Sequence, residues 1–496
     1  MDEKGSAYST KPFVDFRHFS ENEFVDFRHF SENEFVDFRQ MSYFCTVNQQ
    51  INYMIFKRKL YDTMIRWKNE RKGGSALLIK GARRVGKSTL VEEFAKREYK
   101  SYILIDFSKT DKEVESLFDN LMNLDYFFIR LQNIFGVSLH QRESVIVFDE
   151  VQNFPPARQA IKHLVKDGRF DYIETGSLIS IKKNIKDIII PSEEHAETLF
   201  PMDFEEFYWA CGNDTTPQQL REAFQMKMPM GDAVHRRWMR DLMLYMLVGG
   251  MPQAVDAYLR NKDMKAVDET KREIIELYYN DFRRIDTTGR ASRLFSAIPG
   301  QLNTNASRYQ VGSVIENQTA NRVAEAIADI EDSQTVTMAY HVSDPNVGMG
   351  LFKDYNRYKM FIADTGLFVT LAFWDKDYTE NLIYNKLLSD KLAANLGYVY
   401  ENLVAQMLRT SGNQLFYYTF PTENGNKNYE IDFMLSRGSK IIPIEVKSSG
   451  YKTHRSLDVF CNKYPSRIGD RILLYTKDFQ KDGATLCLPV YFTPFL

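Results

Sequence analysis

The sequence predicts an α/β protein with a parallel β-sheet, and three observations support this prediction. From residue 76 onward, short apolar segments alternate with helical patterns, which is typical of a parallel sheet covered by helices on both faces. A glycine-rich loop connects the first of these segments to a helical pattern. The third segment ends in two adjacent carboxylates, where the strands of such a sheet place functional side chains.

Four segments are predicted to be strands of this sheet, because each is short and mainly apolar. They are ALLIK at 76–80, SYILIDF at 101–107, SVIVFDE at 144–150 and DYIETGS at 171–177. Residues 202–285 show mostly helical patterns, and residues 286–375 mix helices with short strands. The last region is again α/β, with a helix GYVYENLVAQMLRTSG followed by strands YEIDFML and IIPIEVK. Because the chain has 496 residues, two to four domains are expected.

The first 53 residues contain a tandem repeat. FVDFRHFSENE runs from Phe13 to Glu23 and again from Phe24 to Glu34, and FVDFRQ begins a third copy at Phe35. The 11-residue period fits an amphipathic partner helix or an oligomerisation arm. The favoured interpretation is a duplicated stretch of coding sequence, because one such segment cannot bury its own apolar face. The folded protein is therefore predicted to begin near Met54.

Composition excludes several classes of protein. The hydrophobic content of 44% is typical of a globular chain, and the net charge of −2 gives no general argument for nucleic acid. The cysteines form no CxxC pair, which favours reduced thiols over a disulfide frame or zinc site. No apolar run spans a bilayer, and the N-terminus lacks the apolar core of a signal peptide. A cytoplasmic location without membrane contact is expected.

The glycine-rich loop satisfies the phosphate-binding pattern GxxxxGK[ST]. Gly81 and Gly86 let the backbone fold closely around phosphates, Lys87 is expected to reach the β- and γ-phosphates, and the Ser88 hydroxyl is expected to ligate Mg²⁺. The required context is present, because a predicted strand precedes the loop and a predicted helix follows it. The sequence therefore predicts a site for Mg²⁺ and ATP, lined by Gly81, Ala82, Arg83, Arg84, Val85, Gly86, Lys87, Ser88 and Thr89.

The segment SVIVFDE supplies the partners of this loop. Asp149 ends an apolar strand, where a carboxylate is costly to bury without a cation, so it is predicted to hold Mg²⁺. Glu150 is predicted to be the general base that polarises the attacking water, with Lys87 as the second catalytic residue. Thr175 or Ser177 is a candidate γ-phosphate sensor, although Thr-Gly-Ser is also common in plain turns.

A second constellation lies near the end of the chain. Glu445 and Lys447 alternate on one predicted strand and so share a face, and Asp432 lies on the strand before it. Two adjacent strands could bring Asp432 and Glu445 around a divalent metal, with Lys447 positioning water and Glu401 as a fourth member. The alternative is a set of solvated or structurally paired side chains. From residue 437 to 477 there are nine Lys or Arg and three acidic residues, a local basic balance suited to a phosphate backbone.

These motifs together resemble a prokaryotic family of AAA-type ATPases that end in a domain of unknown function. The resemblance rests on GARRVGKST, SYILIDF, VIVFDEVQ, ETGS, FPMDFEEF, LVGGMPQAV, YKMFIADTGL and IDF…IPIEVKSS, and it covers residues 54–496. It implies a P-loop ATPase core (54–201), a helical lid (202–285), a winged-helix-like domain (286–375) and a PD-(D/E)XK nuclease-like domain (376–496). The leading proline of the nuclease pattern is absent here.

The favoured function is an ATP-hydrolysing AAA-type ATPase whose C-terminal half faces DNA. One alternative is a nucleotide-controlled binding or signalling switch with an inert nuclease-like domain. Another is an ATP-dependent metal nuclease of a mobile or defence element. DNA, a protein partner and further copies of the chain are the partner classes that the sequence leaves open, and Arg283 or Arg284 is a weak candidate for an arginine finger.

Overall fold

A computed structural model describes residues 55–177, 193–304, 306–377, 382–388, 396–425, 427–449 and 453–496. The tandem repeat and the rest of the predicted N-terminal extension, residues 1–53, lie outside the described residues. The part of the chain from residue 54 to its last residue forms one compact unit.

The first β-sheet is parallel throughout, with the strand order β2-β3-β4-β1-β5. Its strands are β1 Ala76–Lys80, β2 Ser101–Asp106, β3 Ser144–Asp149, β4 Asp171–Gly176 and β5 Glu194–Thr198. The four predicted strands are therefore confirmed. The fifth, EHAET, was not predicted because it is a short polar edge strand without an apolar run.

Helices cover both faces of this sheet, as the fold class requires. They are α1 Leu60–Arg71, α2 Lys87–Glu98, α3 Lys112–Glu115, α4 Leu124–Phe135 and α5 Pro155–Asp167, with 3₁₀ turns at Ser116–Asn120 and Val151–Asn153. Leu77 and Ile79 of β1 share a core with α2, whereas Leu78 shares a separate core with α4 and α5. The predicted α/β class is confirmed, because successive residues of β1 are buried on opposite faces.

Residues 202–285 are helical in the structure, as predicted. The helices are α6 Phe204–Ala210, α7 Thr215–Met226, α8 Asp232–Val248, α9 Pro252–Asn261 and α10 Met264–Ile285. A capping box begins α6: the Asp203 carboxylate accepts a hydrogen bond from the Glu206 backbone N–H, and the Glu206 carboxylate accepts one from the Asp203 backbone N–H. No helix in the described ranges is both long and apolar enough to cross a membrane.

A second sheet contains eight strands of mixed direction, in the order β12-β13-β11-β10-β9-β8-β6-β7. Short helices precede it: α11 Arg290–Ser296, α12 Ile298–Asn303, α13 Val311–Val314 and α14 Ala324–Asp332. The strands are β6 Val336–Val342, β7 Lys353–Ile362, β8 Leu415–Pro421, β9 Asn428–Arg437, β10 Lys440–Val446, β11 Arg471–Tyr475, β12 Gln480–Asp482 and β13 Thr485–Pro489. The helices among them are α15 Thr365–Leu371, α16 Leu382–Leu388, α17 Gly397–Thr410 and α18 Arg455–Lys463, with 3₁₀ turns at Ala320–Val323, Met349–Phe352 and Val490–Phe495.

This sheet crosses the boundary that the sequence places at residue 375. Strand β6 pairs antiparallel with β7 on one side and parallel with β8 on the other. The predicted winged-helix-like region (286–375) and nuclease-like region (376–496) thus share one sheet. Local patterns could not show this, because the pairing of β6 with β8 joins residues such as Ala339 and Leu415 that are distant in sequence.

Three backbone segments cross within the compact unit, at Met202, at Gly249 and Gly250, and at Gly366. A Cβ atom on Gly250 would lie 2.0 Å from the carbonyl oxygen of Met202, and one on Gly366 would lie 2.6 Å from the Cα of Gly249. The Met202 backbone N–H donates to the Gly250 carbonyl at 2.7 Å. Asp364, which is 1% exposed, accepts a hydrogen bond from the Gly250 backbone N–H. Only glycine fits at these positions, because the neighbouring atoms are backbone and cannot move aside.

We expect Gly250→Ala to destabilise the protein strongly. The added methyl group collides with fixed backbone, and overpacking of this kind costs about 1–3 kcal/mol or more. Gly300→Ala in α12 is the matched control, because nothing lies within 4 Å of the added atom; a change of no more than about 1 kcal/mol, in the stabilising direction, is expected there. Urea-denaturation midpoints of the two variants measure the difference, and equal midpoints would contradict the crossing.

Candidate functional site

The glycine-rich loop after β1 has a backbone that its sequence explains. Arg84 and Gly86 have positive φ angles of 71° and 94°, and Gly86 directly precedes α2. Gly81 lies so close to Leu199 that a Cβ atom would be 2.4 Å from the Leu199 carbonyl oxygen. Gly81 therefore allows the loop to lie against the segment that follows β5, and Gly86 supplies the left-handed backbone before α2.

Lys87 places a buried cation inside this loop. Its ammonium group donates to the carbonyl oxygens of Gly81 and Ala82, each at 3.1 Å. Burial lowers the pKa of Lys87, while the nearby carboxylates of Glu150 and Asp149 act in the opposite direction. Because Lys87 also begins α2, the positive end of the helix and the ammonium group converge on the loop.

Asp149 is the point at which three predicted site residues meet. The Ser88 hydroxyl donates to Asp149 Oδ1 at 2.8 Å, and the Thr175 hydroxyl donates to the same oxygen. Burial raises the pKa of Asp149, and the hydrogen bonds from Thr175 and Ser88 only partly offset this effect. The end of β3, the start of α2 and the end of β4 are thus brought together at one carboxylate.

Glu150 follows Asp149 in a left-handed backbone conformation, with a φ of 54°. Its backbone N–H donates to Thr175 Oγ1 at 3.2 Å, and its carboxylate accepts a hydrogen bond from the side-chain amide of Gln152. Thr175 therefore contacts both residues of the carboxylate pair and is fully buried. Ser177, the other candidate sensor, is half-buried and ends the described segment.

The donor set around Asp149 suits a magnesium ion. Mg²⁺ prefers hard oxygen ligands, usually one or two carboxylates or hydroxyls besides waters and substrate phosphates. The Ser88 hydroxyl and the Asp149 carboxylate supply such oxygens 2.8 Å apart. Burial disfavours the charge of Asp149, and a divalent cation beside it would remove that penalty. The residues present therefore fit Mg²⁺.

Arg58 supports the loop from outside and was missed by sequence reasoning. Its guanidinium donates to the carbonyl oxygens of Val85 at 3.0 Å and of Phe200 at 2.6 Å, and it pairs with Glu206 at 3.2 Å. The residue is 6% exposed. A single arginine before the first strand has no pattern that distinguishes it from a surface residue, so only the fold reveals its role.

The helical region also contacts the loop, through α10. Asp281 accepts a hydrogen bond from the Arg83 side chain at 2.8 Å, and the Tyr278 hydroxyl donates to the Arg83 carbonyl at 3.1 Å. Burial raises the pKa of Asp281, and the nearby Arg83 acts against it. Arg283 and Arg284, the candidate arginine fingers, are exposed in the last turn of the same helix.

Of the predicted carboxylates of the C-terminal region, Glu401 and Asp432 have oxygens within 4.8 Å of each other, whereas Glu445 lies outside that group. Asp432 Oδ2 accepts a hydrogen bond from the Val446 backbone N–H at 2.8 Å, which joins β9 to β10. Glu445 pairs with Lys447 at 2.6 Å, so the two predicted neighbours do share a face. Burial raises the pKa of Glu445, and Lys447 opposes that effect.

Two further members of this cluster were missed by sequence reasoning. Lys359 of β7 binds Glu401 of α17 at 2.7 Å and Glu430 of β9 at 2.5 Å. Ligand oxygens of Glu401, Glu430 and Asp432 lie within 4.8 Å of one another. Burial raises the pKa of Glu430 to about 7, against the opposing effect of Lys359. Glu430 could have been noticed because it lies two residues before Asp432, but Lys359 has no local signal.

Several basic residues from 437 to 477 contact other protein groups, whereas Lys452 lies outside the described residues. Arg455 pairs with Glu423 at 3.3 Å, and Arg467 pairs with Asp344 at 2.5 Å. Lys463 lies over the rings of Phe420 and Tyr464, at 5.6 and 5.4 Å from the centroids. Phe420 is buried and Tyr464 is half-buried, so the exposed Lys463 and the edge of Tyr464 form the basic and aromatic part of the surface at the end of α18.

Comparison with known proteins divides the chain into three matched stretches. Residues 74–208 match the family described as an AAA domain. Residues 239–378 match a domain of unknown function, DUF8612, and residues 396–492 match another, DUF4143. No curated protein sequence matches the chain.

Several solved structures are similar to this chain at low levels. The RuvB Holliday junction branch migration motor of Thermotoga maritima is 12% identical, covers 57% of this chain and 89% of its own, and has a TM-score of 0.27. Cdc6p of Pyrobaculum aerophilum is 11% identical, with coverages of 67% and 93% and a TM-score of 0.25. A signal transduction ATPase with numerous domains from Pyrococcus horikoshii is 11% identical, with coverages of 72% and 48% and a TM-score of 0.24. Similarity at these levels carries no inference about function.

The matched AAA stretch contains the parallel sheet and the glycine-rich loop, and it includes Lys87, Ser88, Asp149, Glu150 and Thr175. Sequence pattern, strand order and family match agree on this part of the chain. Residues 74–208 are therefore a P-loop domain of the AAA-type ATPases.

Proposed function

We propose that the chain binds and hydrolyses Mg²⁺-ATP at the loop of residues 81–89. The observation that carries this proposal is the shared hydrogen bonding of Ser88 and Thr175 to Asp149 Oδ1, with Glu150 next in the chain. A hydroxyl and a carboxylate converge there on the C-terminal edge of a parallel sheet, which is where α/β proteins bind their ligands.

Each residue of the site has a separate part in the proposed reaction. The loop backbone and the N-terminal end of α2 present positive partial charges to the phosphates. Lys87 would exchange its hydrogen bonds with Gly81 and Ala82 for contacts with the β- and γ-phosphate oxygens. Mg²⁺, when bound at Ser88 and Asp149, would supply neutralisation of the charge that develops on the phosphates.

Glu150 is proposed as the general base that orients and deprotonates the attacking water. The amide of Gln152 holds the Glu150 carboxylate, and Thr175 holds its backbone, so the group is fixed beside Asp149. This contact with Asp149 and Glu150 favours a positioning role for Thr175. The γ-phosphate sensor role then falls to Ser177, the other candidate.

The connection to the second sheet supports an ATP-dependent conformational switch. The Tyr245 hydroxyl donates to the Met202 carbonyl at 2.7 Å and accepts from the side-chain amide of Gln406 in α17 at 2.8 Å. Gln406 in turn accepts from the backbone of Thr365 at 2.8 Å. The segment after β5 contacts Gly81. A movement of this segment would displace α17, because buried hydrogen bonds connect Met202 to Tyr245 and Tyr245 to Gln406.

We expect Lys87→Ala to abolish ATP binding or nearly so. The substitution removes the positive side chain assigned to the β- and γ-phosphates, and fluorescent-nucleotide titration measures the loss. Lys96→Ala is the matched control, because Lys96 lies on the same helix but is exposed and pairs with Glu92. Unchanged ATP affinity in Lys87→Ala would remove the proposed site.

Glu150→Gln is expected to separate binding from hydrolysis. Glutamine keeps the shape but cannot accept a proton, so turnover should fall by roughly 10²–10⁴-fold while ATP remains bound. Phosphate-release kinetics test this, with the exposed Glu143→Gln as a control for the loss of one negative charge. Turnover near the wild-type rate would assign the base to another residue.

A second candidate function is DNA docking by the aromatic and basic surface around α18. The exposed Lys463 beside the half-buried ring of Tyr464 favours it, since single-stranded nucleic acids bind to such surfaces by stacking and phosphate contacts. The existing pairs of Arg455 and Arg467 argue for modest affinity, because those pairs would have to open.

We expect the chain to bind single-stranded DNA in a salt-sensitive manner, as measured by fluorescence anisotropy. Lys463→Ala should weaken binding and reduce the slope of log affinity against log salt by about one. The exposed Lys109→Ala, in the AAA domain, should leave both unchanged. Absence of DNA binding at low salt would leave a protein partner as the proposed target of the switch.

A further inference from the structure

Lys359 occupies the centre of the carboxylate cluster of the second sheet. Its side chain is 7% exposed, and its ammonium group lies 2.7 Å from Glu401 Oε1 and 2.5 Å from Glu430 Oε1. These are two of the three residues whose oxygens are close enough to share one metal ion. The amino group therefore stands among the oxygens that would otherwise surround a divalent cation.

We propose that the ammonium group of Lys359 is the resident cation of this cluster and excludes Mg²⁺ and Mn²⁺ from it. The C-terminal half would then not cleave phosphodiesters by metal chemistry. Its carboxylates would serve to tie β7 to α17 and β9. This inference is independent of the proposed ATPase function, since it concerns only residues of the second sheet and α17.

The hydrogen bonding of the cluster supports the exclusion. Lys359 binds an oxygen of Glu401 and an oxygen of Glu430. The Val446 backbone N–H binds Asp432, and Lys447 binds Glu445. Each of the four carboxylates therefore already has a donor from the protein. A metal ion would have to displace several of these donors at once.

Charge supports it as well. Burial alone would lower the pKa of Lys359, but Glu401, Glu430 and Asp432 outweigh burial and raise it, so the side chain is charged. A divalent cation placed among the same oxygens would lie within a few ångströms of this ammonium group. Like charges at that separation repel strongly in a buried site, where screening is weak.

Lys359 and the carboxylates come from different parts of the chain, so the carboxylates considered without Lys359 resemble a metal site. Glu401, Glu430, Asp432 and Glu445 all lie in the stretch 396–492, which matches DUF4143. Lys359 lies in the stretch 239–378, which matches DUF8612. The shared sheet places Lys359 beside these carboxylates, so the cluster combines residues of both stretches.

Mn²⁺ binding to the full-length chain without nucleotide tests the proposal, with unbound Mn²⁺ measured by electron paramagnetic resonance. Wild type and Asp432→Asn should bind the same amount, because no Mn²⁺ enters the cluster in either. Lys359→Met should gain about one Mn²⁺ per chain, since the carboxylates then lack their cation. Adding Asp432→Asn to Lys359→Met should remove the gain, and Lys359→Arg should show none.

Three results would overturn the proposal. The first is a wild-type Mn²⁺ site that Asp432→Asn removes. The second is Mn²⁺- or Mg²⁺-dependent DNA cleavage by wild type that Asp432→Asn abolishes. The third is a folded Lys359→Met that gains no Mn²⁺. Should Lys359→Met fail to fold, the comparison of wild type with Asp432→Asn decides alone, because equal Mn²⁺ binding and absence of cleavage support the exclusion.

Discussion

The close approach of Gly250 to Met202 is the constraint on which the rest of the structure depends. The segment that contains Met202 runs from the first sheet, where Leu199 abuts Gly81 of the phosphate loop. The same crossing receives Asp364 from the end of β7, and its carboxylate satisfies the Gly250 backbone N–H in a buried site. The segment after β5, the helical region and the second sheet are therefore joined here by close backbone contacts and buried hydrogen bonds, in addition to the continuous apolar core that the three regions share.

The two carboxylate sites differ in the groups that stabilise their buried carboxylates. At the first, Asp149 is held by the hydroxyls of Ser88 and Thr175, which donate hydrogen bonds but bring no charge. Lys87 is a cation near this site, but it donates to the carbonyl oxygens of Gly81 and Ala82. The oxygens of Ser88 and Asp149 are compatible with an external cation. At the second, Lys359 and Lys447 bring their own charges to Glu401, Glu430 and Glu445. Buried charges that are already paired have little to gain from a metal ion.

Sequence reasoning recovered the elements whose signal is local. The four apolar strands and the long helices follow from periodicity, and the glycine-rich loop follows from a pattern in which each residue has a physical reason. It failed where the signal is spread over the chain. The polar edge strand β5 lacks an apolar run, and the pairing of β6 with β8 joins segments that are distant in sequence. Arg58, Asp281 and Lys359 have no local sequence signal, and only the fold shows which partners they contact.

The position of Lys359 bears on how the two halves of the protein work together. It lies on β7, only five residues before Asp364, which accepts the Gly250 backbone N–H at the crossing. Gln406 of α17 bonds to Tyr245 of the helical region, and Glu401 of the same helix bonds to Lys359. The end of β7 and helix α17 therefore each have a hydrogen bond to the helical region, and the Lys359–Glu401 ion pair connects β7 to α17. A buried ion pair of this kind is better suited to holding β7 and α17 together than to catalysis, because breaking it leaves an uncompensated buried charge. These contacts favour a structural role for the carboxylates of the second sheet over a role in metal chemistry.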